Sequence, residues 1–206
     1  TGSGKTYTMA AVIEKIQRLA LIISPNKILA AQLYQEFKEF FPQSAIHFFV
    51  SYYDYYQPEA YLPGQDIYIE KDADINDELD RLRLKATSSL LSRSDTVIVA
   101  SVSCIYNIGS PDEFREGVVI ISEGDRLERK ELLYHLVHIQ YQRNEIEFKR
   151  GTFRVRGDNI NIFPAYSEEA FRIEFNVDTV NSIKIIDPLT GSIKNEVDNI
   201  AIYPAK

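Results

Sequence analysis

The sequence is poor in cysteine, in long apolar runs and in basic charge. Its single cysteine, Cys104, excludes an internal disulfide and fits a reducing, cytosolic compartment. No apolar run approaches the roughly 20 residues that span a bilayer, and no signal peptide is found, so no membrane partner is expected. Lysine and arginine total 23 against 30 acidic residues, a net charge of −7. A generally basic nucleic-acid binder is therefore excluded, and any DNA contact must come from local patches.

Metal and nuclease chemistry also lack a signal. Cys104 has neither a second cysteine nor a histidine near it in sequence. The three histidines show no ligand or catalytic spacing, which predicts structural roles for His47, His135 and His138. No carboxylate cluster typical of a nuclease is visible. The length of 206 residues allows one large or two modest domains, and no repeat or low-complexity segment is found.

Tyrosine is concentrated in the stretch Ser51–Tyr61, which holds five of the 13 tyrosines. In a strand, successive side chains face opposite ways, so the first and third tyrosines would leave by one face and the second and fourth by the other, with a kink near Asp54. Some rings must then be exposed or contact another molecule. Exposed rings are platforms on which single-stranded nucleic acid stacks, at roughly 1–3 kcal/mol per base. The alternative is a strand at a domain boundary with both faces covered.

The opening residues, TGSGKT, match the end of the phosphate-binding pattern G-x-x-x-x-G-K-[ST]. The first glycine of that pattern would lie two residues before Thr1. Apolar residues with helical spacing follow, at Met9, Val12, Ile13 and Ile16. Such a helix start offers free N–H groups to phosphate, with Lys5 on the β- and γ-phosphates and Thr6 on Mg²⁺. The alternative is a flexible Gly/Ser terminus before a helix.

Strands alternate with helices over the first half of the chain. Residues 19–23, 45–50 and 95–100 predict strands, the first of them a continuous buried one. The helices between them are expected to face inward through Leu29, Leu33, Phe37 and Phe40, and through Leu79, Leu82, Ala86 and Leu90. This order predicts a doubly wound α/β sheet with ligands beyond the carboxyl ends of its strands. Residues 52–69 predict a long β-hairpin excursion, and a helix capped at Asn76 or Asp77 follows.

After a helix start at Ser110–Asp112 the pattern changes to one more helix and then to period two. The helix is expected to face inward through Leu132, Leu133, Leu136 and Val137. Antiparallel strands are predicted around Ile146 and Phe148, Phe153 and Val155, Ile160 and Ile162, and Phe171, Ile173 and Phe175. In the segment around 150–156, alternation puts Arg154 and Arg156 on one outer face. Such a cluster in an acidic protein suggests an acidic partner or phosphate; the alternative is a solvated face.

These segments stand in the order and spacing of the UvrB family, the damage-verifying subunits of bacterial nucleotide excision repair. The resemblance rests on residues 1–6, 25–33, 51–61, 100–106 and 150–158, and it covers the whole chain. It implies a partial P-loop NTPase domain of the RecA-like helicase class at 1–112, with a β-hairpin inserted at about 52–74. An α+β domain with antiparallel sheet, which interacts with UvrA, is implied at 113–206. The chain looks like the N-terminal portion of a protein about three times longer.

The resemblance also implies residue roles. ATP phosphates would lie on Thr1, Gly2, Ser3, Gly4, Lys5 and Thr6, with Mg²⁺ on Thr6. The hairpin that enters damaged double-stranded DNA would carry Tyr52, Tyr53, Tyr55, Tyr56, Glu59, Tyr61, Tyr68 and Lys71. The DNA path would include Arg83, Ser101 and Ser103, and UvrA would contact Arg143, Arg150, Arg154 and Arg156. From the residues alone, Arg83 fits a solvated helix face, and the two serines fit turns.

Other family features are not found in this sequence. The Walker B Asp-Glu pair and the later helicase motifs are missing, so we expect this chain alone not to turn over ATP. The family's incisions resemble the work of a partner, UvrC. Two alternatives stay open: a non-enzymatic module that binds UvrA and DNA, and the N-terminal region of a transcription-repair coupling translocase. The tyrosine stretch beside the glycine-lysine-threonine loop argues against the latter.

Overall fold

The computed structural model describes residues 3–57, 60–62, 67–69, 72–105 and 110–206, with backbone alone from 55 to 73. It divides into two compact units, Thr1–Ile108 and Gly109–Lys206. In the described part of the chain, no helix is both long and apolar enough to cross a membrane.

Unit 1 contains three α-helices and seven strands among its described residues. The helices are α1 (Lys5–Ile16), α2 (Lys27–Phe40) and α3 (Asp77–Ser92). The strands are β1 (Ala20–Ser24), β2 (Ala45–Phe49), β3 (Tyr53–Gln57), β4 (Ala60–Leu62), β5 (Ile67–Ile69), β6 (Asp72–Ile75) and β7 (Thr96–Ser101), and a 3₁₀ turn follows at Val102–Ile105.

The core of unit 1 is a parallel sheet of strand order β1-β7-β2. Its central strand, β7, is buried along its whole length. Val97 and Val99 pack in the cluster that contains α1 and α2, whereas Ile98 and Ala100 pack with Ala86 of α3. Helices therefore cover both faces, and the predicted α/β class is confirmed.

The predicted inner faces of the helices are confirmed in part. Phe37 of α2 and Ala86 of α3 are fully buried, and Leu33 and Leu79 pack against the core. Leu29 and Phe40 are instead 37% and 41% exposed. Ala10 of α1 and Ala30 of α2 are buried although the predicted stripes did not include them, because these helices approach the sheet through small side chains. The other exposed residues of the helical patterns are Met9, Val12, Ile16, Leu90 and Val137.

The first strand is less buried than its apolar run predicts. Leu21 and Ile23 are each 57% exposed, while Ile22 is buried between them. Both are register partners of the β7 residues that pack with α3, so they share that face. Because α3 packs against β2 and β7, the outer part of this face at β1 is left open to solvent.

The tyrosine segment (residues 52–75) leaves this sheet after β2. Strand β3 pairs antiparallel with β6, and β4 pairs antiparallel with β5. The β3–β6 register shifts between Tyr53 and Tyr55, which is where the sequence predicted a kink. A bulge of this kind bends a strand and increases its twist.

Unit 2 contains two α-helices and eight strands among its described residues. They are α4 (Pro111–Glu116), α5 (Arg129–His138), β8 (Val119–Ser122), β9 (Gln142–Arg143), β10 (Thr152–Arg156), β11 (Asn159–Phe163), β12 (Ala170–Asn176), β13 (Thr179–Ile186), β14 (Ile193–Val197) and β15 (Asn199–Ile202).

A six-stranded sheet of order β14-β13-β12-β11-β10-β9 dominates unit 2. Its pairs are antiparallel except β10 with β9, and β8 pairs separately with β15. The inner face is apolar: Ile160, Ile173 and Ile183 are register partners in one row, and all three are fully buried.

The predicted strand around Ile146 and Phe148 is wrong. Ile146 is 97% exposed and belongs to a turn. The side-chain oxygen of Asn144 accepts the backbone N–H groups of Ile146 and Glu147, at 3.1 and 2.9 Å. These backbone N–H groups bind the asparagine side chain instead of a neighbouring strand. The alternation of apolar residues here therefore does not correspond to a strand.

Candidate nucleic-acid and partner interfaces

The tyrosine segment begins with two rings in contact, whose planes are tilted by 34° to each other. The centroids of Tyr52 and Tyr53 lie 4.5 Å apart, and the two hydroxyl oxygens are 3.4 Å apart. The hydrogen bond with Tyr53, followed by burial, raises the pKa of the Tyr52 hydroxyl. Both residues are half-buried. A pair of this kind is a platform suited to a flat partner.

Three main-chain carbonyls at the segment root (residues 50–54) are held from other elements. The Lys27 ammonium at the start of α2 donates to the Tyr53 carbonyl at 3.0 Å. The Arg83 guanidinium of α3 donates to the Val50 carbonyl at 2.9 Å. The backbone N–H of Asn76 donates to the Tyr52 carbonyl at 2.8 Å.

The side chain of Asn76 both donates and accepts hydrogen bonds. Its amide nitrogen donates to the Asp54 carboxylate at 2.8 Å. Its amide oxygen accepts the backbone N–H groups of Glu78 and Leu79, at 3.1 and 3.0 Å, and so caps α3. One residue thus ties the start of α3 to the bulged strand, and of the two predicted caps Asn76 is the one found.

Arg83 lies beneath the segment root instead of facing solvent. Its Cζ atom is 4.1 Å from the Phe49 ring centroid and 5.0 Å from that of Tyr52. Burial lowers the pKa of its guanidinium. The solvated helix face expected from composition is therefore wrong for this residue.

The other predicted DNA-path residues lie at the carboxyl edge of the parallel sheet. Ser101 ends β7 and is buried, and its hydroxyl oxygen lies 2.8 Å from that of Ser103. Tyr61 and Tyr68 are backbone register partners of the β4–β5 pair. The side chains of Tyr55, Tyr56, Tyr61 and Tyr68, and all of Glu59 and Lys71, lie outside the described residues, so their predicted roles stay predictions.

The predicted phosphate loop is described from Ser3, whereas Thr1 and Gly2 lie outside the described residues. Gly4 has φ +72° and precedes α1 without a side-chain cap, and no acidic side chain occupies the first turn. The Lys5 side chain is exposed. The hydrogen bond from Gln32, followed by the neighbouring Thr6 hydroxyl, lowers the pKa of Glu36 on α2. An uncapped helix start with a lysine beside it fits an anion such as phosphate.

The outer face of the large sheet carries a polar row. Register joins Arg154 of β10 to Asn161 of β11 and to Arg172 of β12. The guanidinium Nε of Arg172 donates to the Asn161 amide oxygen at 3.2 Å. We call Arg154, Arg156, Asn161 and Arg172 the arginine face. Burial, then Arg156 and Arg172, lower the pKa of Arg154, which shows that the positive charges are close enough to repel.

The remaining two predicted UvrA contacts lie differently. Arg143 donates from Nε to the Glu145 carboxylate at 2.8 Å, and this hydrogen bond lowers the pKa of Glu145. Both Glu145 oxygens also accept the Val155 N–H, each at 3.3 Å. Arg150 donates to the Ala165 carbonyl at 3.5 Å. The structure therefore places Arg154 and Arg156 on one face of the sheet, whereas Arg143 and Arg150 form hydrogen bonds with other residues of unit 2.

Sequence reasoning missed several residues of these two sites. Arg172 and Glu174 could have been found, because the alternation in 171–175 places them opposite Ile173. Lys184 donates to the Glu174 carboxylate at 2.7 Å and lowers its pKa. No sequence signal marked Glu145, and Asn76 was predicted only as a helix cap. The contact of Lys27 with the Tyr53 carbonyl was not predicted either, since it joins groups distant in the chain.

In the ranges that the structure describes, no group of three or more His, Cys, Asp or Glu side chains could hold a metal ion.

Comparison with known proteins also divides the chain into two parts. A family model described as Type III restriction enzyme, res subunit, matches residues 1–123, and one described as UvrB interaction domain matches residues 119–206. The first match covers all of unit 1 and the first residues of unit 2, and together with the parallel sheet it defines unit 1 as a helicase-like α/β unit.

Curated relatives match along the full chain. Proteins named UvrABC system protein B are 56% identical in Leptospira biflexa serovar Patoc (strain Patoc 1 / Ames), 60% in Rhodopirellula baltica and 59% in Protochlamydia amoebophila, each over 206 residues and 100% of this chain. The chain belongs to the UvrB family. It spans 31%, 29% and 31% of the length of these relatives.

Proposed function

We propose that this chain is part of a subunit of a UvrABC-type DNA excision repair system. Unit 1 engages damaged double-stranded DNA through the tyrosine segment, which enters between the strands. Unit 2 docks onto UvrA through the arginine face, and UvrC supplies the incision chemistry. Family membership favours this function over that of a transcription-repair coupling translocase.

The observation that carries the DNA proposal is the Tyr52–Tyr53 ring pair, with centroids 4.5 Å apart, at a root held by other elements. It follows β2 directly, at the carboxyl edge of a parallel sheet, where ligands of open α/β sheets bind. Three carbonyl contacts hold the root, so little conformational freedom is lost when a base or a displaced strand stacks there.

Nucleotide binding belongs to the same proposal. Gly4 and Ser3 would place backbone groups beside ATP phosphates, Lys5 would neutralise their charge, and Thr6 would turn from Glu36 toward Mg²⁺. The uncapped start of α1, without acid in its first turn, fits this group. If ATP with Mg²⁺ were bound there, it would supply a phosphate chain whose negative charge Lys5 and the ion would offset.

The test uses the full-length protein, UvrA, ATP and a duplex that carries one bulky lesion. We expect the double variant Tyr52→Ala/Tyr53→Ala to retain UvrA binding. It should form at least roughly tenfold less of the stable lesion complex than wild type, because stacking is worth about 1–3 kcal/mol per base. Tyr134→Ala is the matched control, since Tyr134 is 72% exposed and belongs to unit 2. Equal complex formation by both variants would contradict the DNA proposal.

A second candidate function is a binding module without catalysis. The arginine face favours it, because that face is built from strands of unit 2 alone. Binding of the 206-residue chain to UvrA without nucleotide tests this candidate, and failure of the folded chain to bind would set it aside.

A further inference from the structure

Two cationic side chains, Lys27 and Arg83, donate hydrogen bonds to backbone carbonyls of the segment root. Lys27 donates to the Tyr53 carbonyl at 3.0 Å, and Arg83 donates to the Val50 carbonyl at 2.9 Å. These carbonyls flank Tyr52, the first ring of the Tyr52–Tyr53 pair. Both contacts join residues distant in sequence, so they fix the root against α2 and α3.

Arg83 is fixed from several directions at once. Its guanidinium lies 4.1 Å from the Phe49 ring centroid and 5.0 Å from the Tyr52 centroid. A planar guanidinium can stack on rings and donate in its own plane at the same time, which an ammonium cannot do. This geometry links the position of the Tyr52 ring directly to β2.

Lys27 is fixed by the start of its helix. The Asn26 side chain accepts the Leu29 N–H at 2.9 Å and caps α2, so the backbone under Lys27 is ordered. From there its ammonium reaches the Tyr53 carbonyl, 26 residues away in sequence. The loop after β1 is thereby coupled to the second ring of the pair.

We propose that Arg83 and Lys27 are positioning residues, which hold the Tyr52–Tyr53 pair ready for a nucleobase and contribute no phosphate contact of their own. The inference rests on the proposed function, because it presumes that the pair meets DNA. Two mechanisms are thereby separated: a phosphate contact acts through counterion release, whereas a positioning contact acts through the stacked base.

The test measures the affinity of the full-length protein for a fluorescently labelled single-stranded oligonucleotide over a range of salt concentrations. Variants are Arg83→Ala, Arg83→Lys, Lys27→Met and Lys27→Arg. We expect Arg83→Ala and Arg83→Lys to lose about tenfold in affinity alike, because lysine cannot replace a stacked guanidinium. Lys27→Met should lose affinity, and Lys27→Arg should restore it, since arginine also donates to a carbonyl.

The slope of log affinity against log salt decides the mechanism. A positioning role leaves it unchanged, whereas each lost phosphate contact on a single strand reduces it by about 0.7. On an oligonucleotide that carries abasic sites, wild type and Arg83→Lys should bind equally, because no base is there to stack. A smaller slope, full affinity of Arg83→Lys, or an equal loss on the abasic strand overturns the proposal.

Thermal unfolding accompanies each measurement, and if Arg83→Ala fails to fold, Arg83→Lys and the two Lys27 variants carry the test. Tyr52→Ala/Tyr53→Ala in the same assay separates this inference from the proposed function. If that variant binds the oligonucleotide as wild type does, the proposed DNA function fails. If it binds weakly while the Arg83 variants bind fully, only the positioning role fails.

Discussion

The guanidinium of Arg154 lies over the ring of Phe148, with its Cζ atom 4.1 Å from the ring centroid. Phe148 in turn packs against Phe163, with ring centroids 5.6 Å apart. Arg154 of the arginine face is therefore held against the Phe148 ring. A guanidinium held in this way loses little side-chain entropy when it binds a carboxylate.

The first prediction concerns docking to UvrA. Arg154→Ala/Arg156→Ala should weaken binding of the 206-residue chain by about thirtyfold, since truncating charges in an interface costs about 2 kcal/mol or more. Lys194→Ala is the control, because Lys194 is a lysine of the far edge strand β14 that pairs with Glu169 at 3.1 Å. Calorimetry at fixed salt measures both. If the double variant bound UvrA with wild-type affinity, these arginines would form a solvated face that does not contact UvrA.

The second prediction separates the two uses of the Asn76 side chain. Asn76→Ser keeps a capping oxygen for α3 but loses the donor to Asp54, whereas Asn76→Ala loses both. We expect Asn76→Ala to lower the free energy of unfolding by about 1 kcal/mol and Asn76→Ser to lower it much less. Both variants should weaken single-strand binding, since both release the bulged strand.

Urea unfolding and oligonucleotide titration measure this pair of effects. If Asn76→Ser binds the oligonucleotide as wild type does, the contact with Asp54 serves folding alone. If Asn76→Ser is as unstable as Asn76→Ala, the cap is not what Asn76 contributes.

Local patterns predicted the elements better than the faces they bury. The parallel strands around Ile98 and the antiparallel strands around Ile160 follow from apolar runs and from period two. The predicted stripe of α2 was right at Leu33 and Phe37 but did not include Ala30, which gives little hydrophobic signal yet is fully buried by close helix–sheet contact. Exposure of Leu21 could not be predicted, since it depends on which strands α3 covers.

The residues of the candidate sites also include some that local patterns predict and some that they do not. Tyr52, Tyr53, Arg154 and Arg156 stand out in sequence through composition and alternation. Lys27 and Glu145 do not, because their function here is to bind the backbone groups of Tyr53 and Val155. Such contacts depend on three-dimensional proximity, which spacing in one sequence does not encode.

The third prediction concerns a buried hydroxyl in unit 2. The Tyr141 hydroxyl donates to the Tyr203 carbonyl at 3.0 Å, and burial raises its pKa well above the usual range. Tyr141→Phe leaves that buried carbonyl without its donor and should cost about 1–3 kcal/mol of unfolding free energy. Tyr134→Phe, at a residue 72% exposed, should cost almost nothing. Equal stability of the two variants in urea would show that the carbonyl finds another donor.

The last prediction is a pH dependence that arises from His47. This residue of β2 is buried, and in the described structure its Nε2 atom has no hydrogen-bond partner. Burial, followed by repulsion from Lys85 and Arg93, lowers its pKa from 6.5 to about 4, and Asp95 opposes the shift. Between these two values the unfolded chain binds a proton that the folded chain does not. Stability should therefore fall as pH falls from about 6.5 to 4, by up to about 3 kcal/mol from this residue.

His47→Leu removes this titration and the unpaired nitrogen together, so its free energy of unfolding should depend less on pH than that of wild type. Urea unfolding at about pH 7, 6 and 5 gives the difference between the two proteins, in which the common carboxylate titrations cancel. His138→Gln is the control, because His138 is exposed at the end of α5 and its replacement should leave the wild-type slope. A difference that stays constant across this range would mean that His47 binds its proton equally in the folded and unfolded chains.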